Sequence, residues 1–149
     1  MANVLKISEA ASLAMHTAVL LAYHQGDLVS TRQISEALGV SEAHLSKVLQ
    51  RLVREGLVRS IRGPRGGFAL ARQPDKIRLI EVYEAIEGTL TATNCLLGKQ
   101  VCDGASCILG GLLAVTNRQV REYLSSARLS ELTGAYRSVK HDVEESRKD

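Results

Sequence analysis

A closely spaced pair of helix signals near residue 40 constrains the fold of this chain more than any other feature. Ser30, followed three residues later by Gln33, forms a capping box that predicts a short helix, and Gly39 is the residue type that most often ends one. Ser41 then begins a second helix that extends to Glu55, with apolar residues at helical spacing: Leu45, Val48, Leu49 and Leu52. Two helices joined by so short a turn predict a helix-turn-helix.

Two short β-prone runs follow the second helix. LVRSI and FALA flank the breaker cluster GPRGG at 63–67, and this pattern predicts a β-hairpin. A hairpin directly after the second helix is the wing of a winged helix-turn-helix. Positive charge concentrates here, because residues 47–72 contain seven Lys and Arg residues but only one acid, Glu55. Such a basic surface indicates a polyanionic partner, double-stranded DNA.

The rest of the sequence favours a mainly α-helical protein in which this hairpin is the small β component. Aromatic residues make up only 3% of the 149 residues, so we expect a core of aliphatic side chains on helices. Ser8 predicts the start of a first helix that reaches about Tyr23, and the run IRLIEVYEAIEG predicts another that ends at Gly88. A long helix is expected from near Cys107 to Ser126, and its broad apolar stripe predicts a dimer seam.

These elements predict five parts of the chain. They are a winged helix-turn-helix DNA-binding domain at 1–75, a connecting helix at 76–91, a cysteine loop at 92–107, a dimerisation helix at 108–135 and a polar tail at 136–149. No run approaches the roughly 20 apolar residues that span a bilayer, and charged or polar residues interrupt the apolar N-terminus. Together with an odd number of cysteines, this favours a cytoplasmic protein with no membrane partner.

The second helix of the helix-turn-helix carries side chains expected to contact DNA. Its N-terminal, outward positions would meet the major groove, where Ser46 and Lys47 can hydrogen-bond base edges. Arginines further along the helix suit phosphates, and arginines of the hairpin suit a narrow minor groove. The predicted DNA-binding residues are Ser41, His44, Ser46, Lys47, Arg51, Arg62 and Arg65. For each of them, an ordinary solvated side chain is the alternative.

Three cysteines lie within thirteen residues, at Cys95, Cys102 and Cys107, while the 94 residues before them contain none. The segment that holds them, TNCLLGKQVCDGASC, has little that would form a regular element. A metal or cluster would order it, and clustered thiolates favour iron or copper(I). A zinc site, a reversible disulfide and inert thiols stay open as alternatives.

Three parts of this sequence resemble the Rrf2 family of bacterial winged-helix transcription regulators: the run VSEAHLSKVLQRLVREGLVRSIRGPRGGFALAR, the later IEVYEAIEG and the cysteine triad. The resemblance covers about residues 5–130. It implies a homodimer that binds a pseudo-palindromic operator. It also implies a two-iron or four-iron cluster, held by Cys95, Cys102, Cys107 and a further ligand, often from the other subunit's first helix. The function implied is a repressor that senses redox state, nitric oxide, or iron and cluster supply.

The cysteine pattern departs from that of the family in two ways. The gaps between the cysteines are six and four residues, where family members more often have two equal gaps or a longer first gap. Gly110 also occupies the position of a histidine ligand found in some members. A ligand from the first helix is therefore expected, and Glu9, Ser12 and His16 lie on one face of it. His16 matches the histidine ligand of redox-sensing members and is the preferred ligand, with Glu9 second.

An enzyme that uses Cys102 as its nucleophile is an alternative outside transcription regulation. No Cys-His-Asp arrangement or phosphate-cradling loop accompanies this cysteine, and the GPRGG run lies in a hairpin and not before a helix. We therefore expect a regulator without enzymatic activity. A thiol switch without a cluster, on the same DNA-binding scaffold, is the remaining alternative, and iron and sulfide content would distinguish it.

Overall fold

The computed structural model describes residues 7–93, 95–97 and 99–136. Six α-helices and one hairpin form its main elements in chain order. They are α1 (Glu9–Tyr23), α2 (Thr31–Leu38), α3 (Glu42–Arg54), β1 (Val58–Ile61), β2 (Gly67–Leu70), α4 (Leu79–Glu87), α5 (Leu112–Ser126) and α6 (Leu129–Leu132), with short 3-10 turns at Pro74–Lys76 and Thr133–Tyr136. We call residues 9–87 the head, and residues 88–111, between α4 and α5, the cysteine segment. The mainly α-helical fold with a small hairpin confirms the expected fold class.

Side-chain caps start the first three helices where the sequence predicts them. The Ser8 and Ser41 hydroxyls accept hydrogen bonds from backbone N–H groups three residues later, at 3.0 and 3.2 Å. Ser30 forms the full capping box, because its hydroxyl accepts from the Gln33 N–H while its own N–H donates to the Gln33 side chain. Gly39 ends α2 in the left-handed conformation, with φ 65°. The turn between α2 and α3 is therefore set by local chemistry.

The wing is an antiparallel pair in which Val58 faces Leu70 and Ile61 faces Gly67. Val29 extends this sheet from the turn before α2, because it exchanges two backbone hydrogen bonds with Phe68, at 2.8 and 2.9 Å. Both glycines at the end of the wing turn are required by close backbone contacts. A Cβ atom on Gly66 would overlap the Ile61 carbonyl, and one on Gly67 would lie 2.7 Å from the Val29 carbonyl oxygen.

The core is aliphatic and centres on α1, which packs against α4, α3, α2, β2 and the C-terminal elements. Leucines on α3 at the predicted spacing point into it. Its largest fully buried side chains include Leu20, Leu21, Ile34, Leu45, Leu49, Leu52, Val58, Ile77, Val82 and Leu129. Because both helices of the helix-turn-helix bury one face against α1, their opposite faces remain exposed. Among the described residues, no helix is long and apolar enough to span a membrane.

The C-terminal region differs from the single long helix expected at 108–135. α5 begins at Leu112 and not near Cys107, because Gly110 adopts a positive φ of 53° and Gly111 follows it. The helix ends at Ser126, as its apolar periodicity predicts, so it does not continue through the expected region to 135, and Ala127 is extended. The chain from Ala127 to Leu129 then pairs with the segment before α4, through hydrogen bonds of 2.9 and 3.1 Å. The connecting helix, expected at 76–91, spans only Leu79–Glu87.

The apolar stripe of α5 is divided between the core and the solvent. Leu124 is buried in the core, whereas Leu112 and Tyr123 are 59% and 58% exposed. The cysteine segment contains no helix or strand among its described residues, and its Leu96, Val101 and Ile108 are 73%, 76% and 99% exposed. A dimer seam on this surface stays a prediction. Of the expected polar tail, 137–149 lies outside the described residues, as does 1–6 of the expected DNA-binding domain.

Candidate DNA interface and cysteine site

The N-terminal half of α3 presents a polar outer face. Lys47 is exposed, and His44 and Ser46 are half-buried beside it. The Ser41 hydroxyl caps the helix, so its hydrogen-bonding capacity is already partly used within the protein. The Nδ1 atom of His44 lies 3.8 Å from a Glu9 carboxylate oxygen, which links this end of α3 to the start of α1.

Arg51, the residue expected to suit a phosphate, is exposed and also makes a contact within the protein. Its Nη2 atom donates a 2.6 Å hydrogen bond to the Ile86 carbonyl near the end of α4. That carbonyl belongs to the last turn of a helix, where unpaired acceptors favour a cation. Arg51 therefore joins α3 to α4 within the protein. The contact spans 35 residues of sequence, which is why the helical pattern alone did not reveal it.

A groove of about 590 Å³ separates the wing from the start of α2. The exposed Arg62 lines it on the wing side, and Arg65 is exposed at the tip of the same turn. Ser30 and Thr31 line it at the N-terminus of α2, and Gln50 of α3 lines it as well. Helix N-termini and guanidinium groups are both suited to a phosphate. Thr31 and Gln50 were missed from the sequence, although the capping box at Ser30 marks the helix end that contains Thr31.

A charged network connects the base of the wing to α4. Arg72, just after β2, donates a 2.8 Å hydrogen bond to Glu81, whose other carboxylate oxygen accepts from the Arg78 N–H at 2.9 Å. Burial alone would raise the pKa of Glu81, but the hydrogen bonds and positive charges of the two arginines outweigh it and lower that pKa. Glu81 is therefore held ionised at the junction of the wing and α4.

The three cysteines are free thiols spread along the cysteine segment. Cys102 is exposed, and Cys95 and Cys107 are half-buried. The segment is tied to α5 by the Asn117 side chain, which donates to the Thr93 carbonyl at 2.8 Å, and by Arg121, which donates to the Leu90 carbonyl. Among its described residues, few other hydrogen bonds order the segment locally, one of them of 3.1 Å from the Gln100 side chain to the Cys102 carbonyl.

The two expected ligands on α1 are both exposed and have different neighbours. His16 is exposed, and its Nδ1 atom lies 2.7 Å from the Ser12 carbonyl oxygen. Because a carbonyl only accepts, Nδ1 carries the proton and Nε2 keeps the lone pair that a metal would use. Glu9 instead lies beside His44. Within the described part of one chain, no three His, Cys, Asp or Glu side chains converge on a common point, so the predicted ligands are not brought together in a single protomer.

A family model described as "Iron-dependent Transcriptional regulator", that of the Rrf2 family, matches residues 7–135. This chain belongs to the Rrf2 family. IscR of Xenorhabdus nematophila, named an HTH-type transcriptional regulator, is 36% identical to this Rrf2 protein over 105 residues, which cover 70% of this chain and 63% of that protein. The matched segment thus spans less than two thirds of that relative. Such names describe transcriptional regulators and not enzymes, in agreement with the sequence-based expectation.

Solved structures of the same fold support this assignment. CymR, the global cysteine regulator of B. subtilis, matches with a TM-score of 0.73 and 27% identity, over 88% of this chain and 98% of CymR. IscR of T. potens matches with a TM-score of 0.67 and 28% identity, over 89% of each chain. The winged-helix fold of this Rrf2 protein is therefore shared with regulators of both names.

The donor set of this Rrf2 protein fits an iron–sulfur group. Cys95, Cys102 and Cys107 supply three accessible thiols, the ligand type that such clusters require. They lie on a segment with few internal hydrogen bonds, which can adjust to a bound group. His16 offers an oriented ring nitrogen on an exposed surface. In one chain these donors remain apart, so a second subunit would have to complete the site.

Proposed function

We propose that this protein is a homodimeric, iron–sulfur-dependent transcription regulator, expected to act as a repressor, that binds a pseudo-palindromic DNA operator. The observation that supports this proposal most strongly is the set of side chains that the cysteine segment exposes. It places three free thiols and strongly exposed apolar side chains on a stretch without helix or strand in its described part, beside a well-packed winged helix-turn-helix. Such a segment requires an additional partner to order it.

The head supplies the DNA contacts in this proposal. Lys47, Ser46 and His44 on α3 face the major groove, and Arg62 and Arg65 on the wing follow the neighbouring minor groove or its phosphates. The N-terminus of α2 receives a phosphate in the groove beside Arg62. Ser41 and Arg51 hold α3 in place, because both already have partners within the protein.

The dimer forms through α5 and the cysteine segment. Three apolar residues of α5 are at least 40% exposed: Leu112, Val115 and Tyr123. Ile108, which precedes this helix in the chain, is 99% exposed. A second copy covers this surface and brings its own α1 close to the thiols. His16 of that copy then completes the ligand set, with Glu9 as the second candidate.

The three thiolates and His16 would hold the cluster at this seam. When bound, such a group supplies a centre that responds to redox state, nitric oxide or iron supply. Release of the thiols frees the cysteine segment and with it the start of α5. Ala127, the residue after α5, accepts a hydrogen bond from the Leu79 N–H at the start of α4, and Glu81 and Arg72 continue this connection to the wing. Regulation follows only if one arrangement of the two heads binds DNA better than another.

The decisive experiment is anaerobic purification followed by absorption spectroscopy and quantification of iron and sulfide. Wild-type protein is expected to be brown, with iron and sulfide in comparable amounts. Cys102→Ala is expected to lose the colour and remain a dimer, whereas Ser106→Ala, a matched change in the same segment, is expected to keep it. Colourless wild-type protein with stoichiometric zinc, or equal operator affinity of cluster-loaded and apo protein, would refute the proposal.

A thiol switch without a cluster is the second candidate. The exposed Cys102 is accessible to oxidants, which favours this possibility. Here the free thiols would form a reversible disulfide that changes operator affinity. Wild-type protein without iron or sulfide, whose DNA binding changes on oxidation and recovers on reduction, would support it over the first candidate.

A further inference from the structure

A second cleft lies at the base of the wing, away from both the outer face of α3 and the cysteines. It has a volume of about 880 Å³. Four parts of the chain line it: the end of α1 and its following turn, the base of the hairpin, the 3-10 turn Pro74–Lys76, and the residues Ser130 and Thr133 near the C-terminal end of the described chain. We call this the wing-base cleft. Its volume falls within the range of about 300 to 1,000 Å³ typical of small-molecule sites.

The charges that line the wing-base cleft are all positive. Arg59, Arg72 and Lys76 line it, and no Asp or Glu does so among the described residues. Arg72 is engaged by Glu81 at 2.8 Å, and Lys76 lies 3.8 Å from Asp75. Arg59 has the weakest interactions of the three within the protein. In the described part of the chain, its guanidinium has only a 3.5 Å hydrogen bond to the Gly26 carbonyl.

The floor of the cleft is apolar. Leu21 and Ala22 at the end of α1 are 1% and 2% exposed, and Leu70 and Pro74 add half-buried aliphatic surface. Ser130, which is exposed, and Thr133, which is half-buried, also line the cleft. Cations over an apolar floor suit a molecule that carries both a negative group and a hydrophobic part, because the guanidinium pairs with the anion while the body is removed from water.

We propose that the wing-base cleft binds a small organic anion, a carboxylate or phosphate ester with an apolar body. Arg59 and Lys76 hold the anionic group, and Leu21, Leu70 and Pro74 receive the body. The ligand would touch the wing base and the C-terminal turn at once. Binding at this site does not depend on the cysteines or on the proposed cluster.

Titration with anilinonaphthalene sulfonate, a fluorescent anion with an apolar body, tests the proposal on the full-length protein. Wild type is expected to bind one dye per chain saturably. The double variant Arg59→Gln with Lys76→Gln is expected to bind it at least about tenfold more weakly, which corresponds to the loss of about 1.4 kcal/mol. Arg118→Gln, which removes one exposed positive charge from α5, serves as the control and is expected to bind like wild type. Ser130→Tyr, which fills the cleft without changing its charge, is expected to weaken binding as well.

Thermal melting of each variant shows whether it is folded, so a loss of binding can be assigned to the cleft. The proposal is overturned if wild type shows no saturable binding, or if the double variant and Ser130→Tyr both bind the dye like wild type. Equal affinity for the uncharged phenylnaphthylamine also overturns it, because apolar surface alone would then account for binding. Displacement of the dye by a DNA duplex of random sequence would assign the cleft to the DNA interface instead.

Discussion

In the head, hydrogen-bonded serine caps start each of the first three helices, and fully buried leucines such as Leu49 and Leu52 pack them around α1. In the described part of the cysteine segment there is no helix or strand, and Ile108 is 99% exposed. The head therefore contains the contacts that determine its structure. The described part of the cysteine segment has few such contacts, in keeping with the proposal that a bound group and a second subunit order it.

The largest expected difference between the two regions concerns stability. Leu49→Ala removes a fully buried side chain from the head and is expected to lower the free energy of unfolding by about 2 to 5 kcal/mol. Leu96→Ala, at a 73% exposed position of the cysteine segment, is expected to change it by less than about 0.5 kcal/mol in the apo protein. Urea unfolding followed by circular dichroism measures both. Equal losses would mean that the cysteine segment is packed as firmly as the head.

The wing provides a smaller test of the same contrast. Gly66→Ala places a Cβ atom against the Ile61 carbonyl, and the forced shift of the wing turn is expected to cost about 1 to 3 kcal/mol. Gly111→Ala, in the cysteine segment, meets no atom within 4 Å and is the matched control. Thermal unfolding and operator titration should both separate the two variants. Normal operator affinity of Gly66→Ala would argue against a DNA-contacting wing.

Within the head, two basic residues of α3 are expected to have different roles: Lys47 in DNA binding and Arg51 in stability. Lys47→Ala is expected to weaken operator binding by about 1 to 3 kcal/mol with little change in stability. Arg51→Ala removes the hydrogen bond to the Ile86 carbonyl and is expected to destabilise the fold by about 1 kcal/mol. Fluorescence anisotropy with operator DNA and urea unfolding distinguish the two effects. If Arg51→Ala weakened DNA binding alone, the phosphate contact first expected for Arg51 would be correct.

The smallest effect is expected at the junction between the wing and α4. Because the pKa of Glu81 is lowered in the folded state, its ionised form stabilises the protein above its unfolded-state pKa, and this stabilisation is lost as the pH falls through the folded-state pKa. Glu81→Gln is expected to cost less than about 1 kcal/mol at neutral pH, since the pair is partly exposed. The difference from wild type should vanish in acid. A difference independent of pH would contradict this role.

The head was predictable from sequence to the extent that local rules determine it. The caps at Ser8, Ser30 and Ser41, the left-handed Gly39 and the hairpin all follow from short patterns, and the structure confirms them. The partner of Arg51 was not predictable, because it joins residues far apart in sequence. The late start of α5 was missed because an apolar periodicity continues through Gly110 and Gly111, whose backbone conformations end the preceding turn.

The ligand set could be predicted only as a list of candidates. Spacing along α1 puts Glu9 and His16 on one face, and in the structure both are exposed, with a Glu9 carboxylate oxygen 3.8 Å from His44 Nδ1. No local rule specifies how the thiols would meet, because in the proposed dimer that geometry would depend on the second subunit and the bound group. The ligand set was therefore less predictable than the head, because local contacts determine the structure of the head but not that of the cysteine segment.

Hydrogen exchange measured by mass spectrometry, on anaerobically isolated protein and on the same protein after iron removal, tests this distinction most directly. We predict that amides of the cysteine segment exchange roughly tenfold or more slowly in the iron-loaded form, while amides in α1 and α3 exchange at the same rate in both. The head thus serves as the internal reference. Equal exchange of the cysteine segment with and without iron would contradict the claim that a bound cluster orders it.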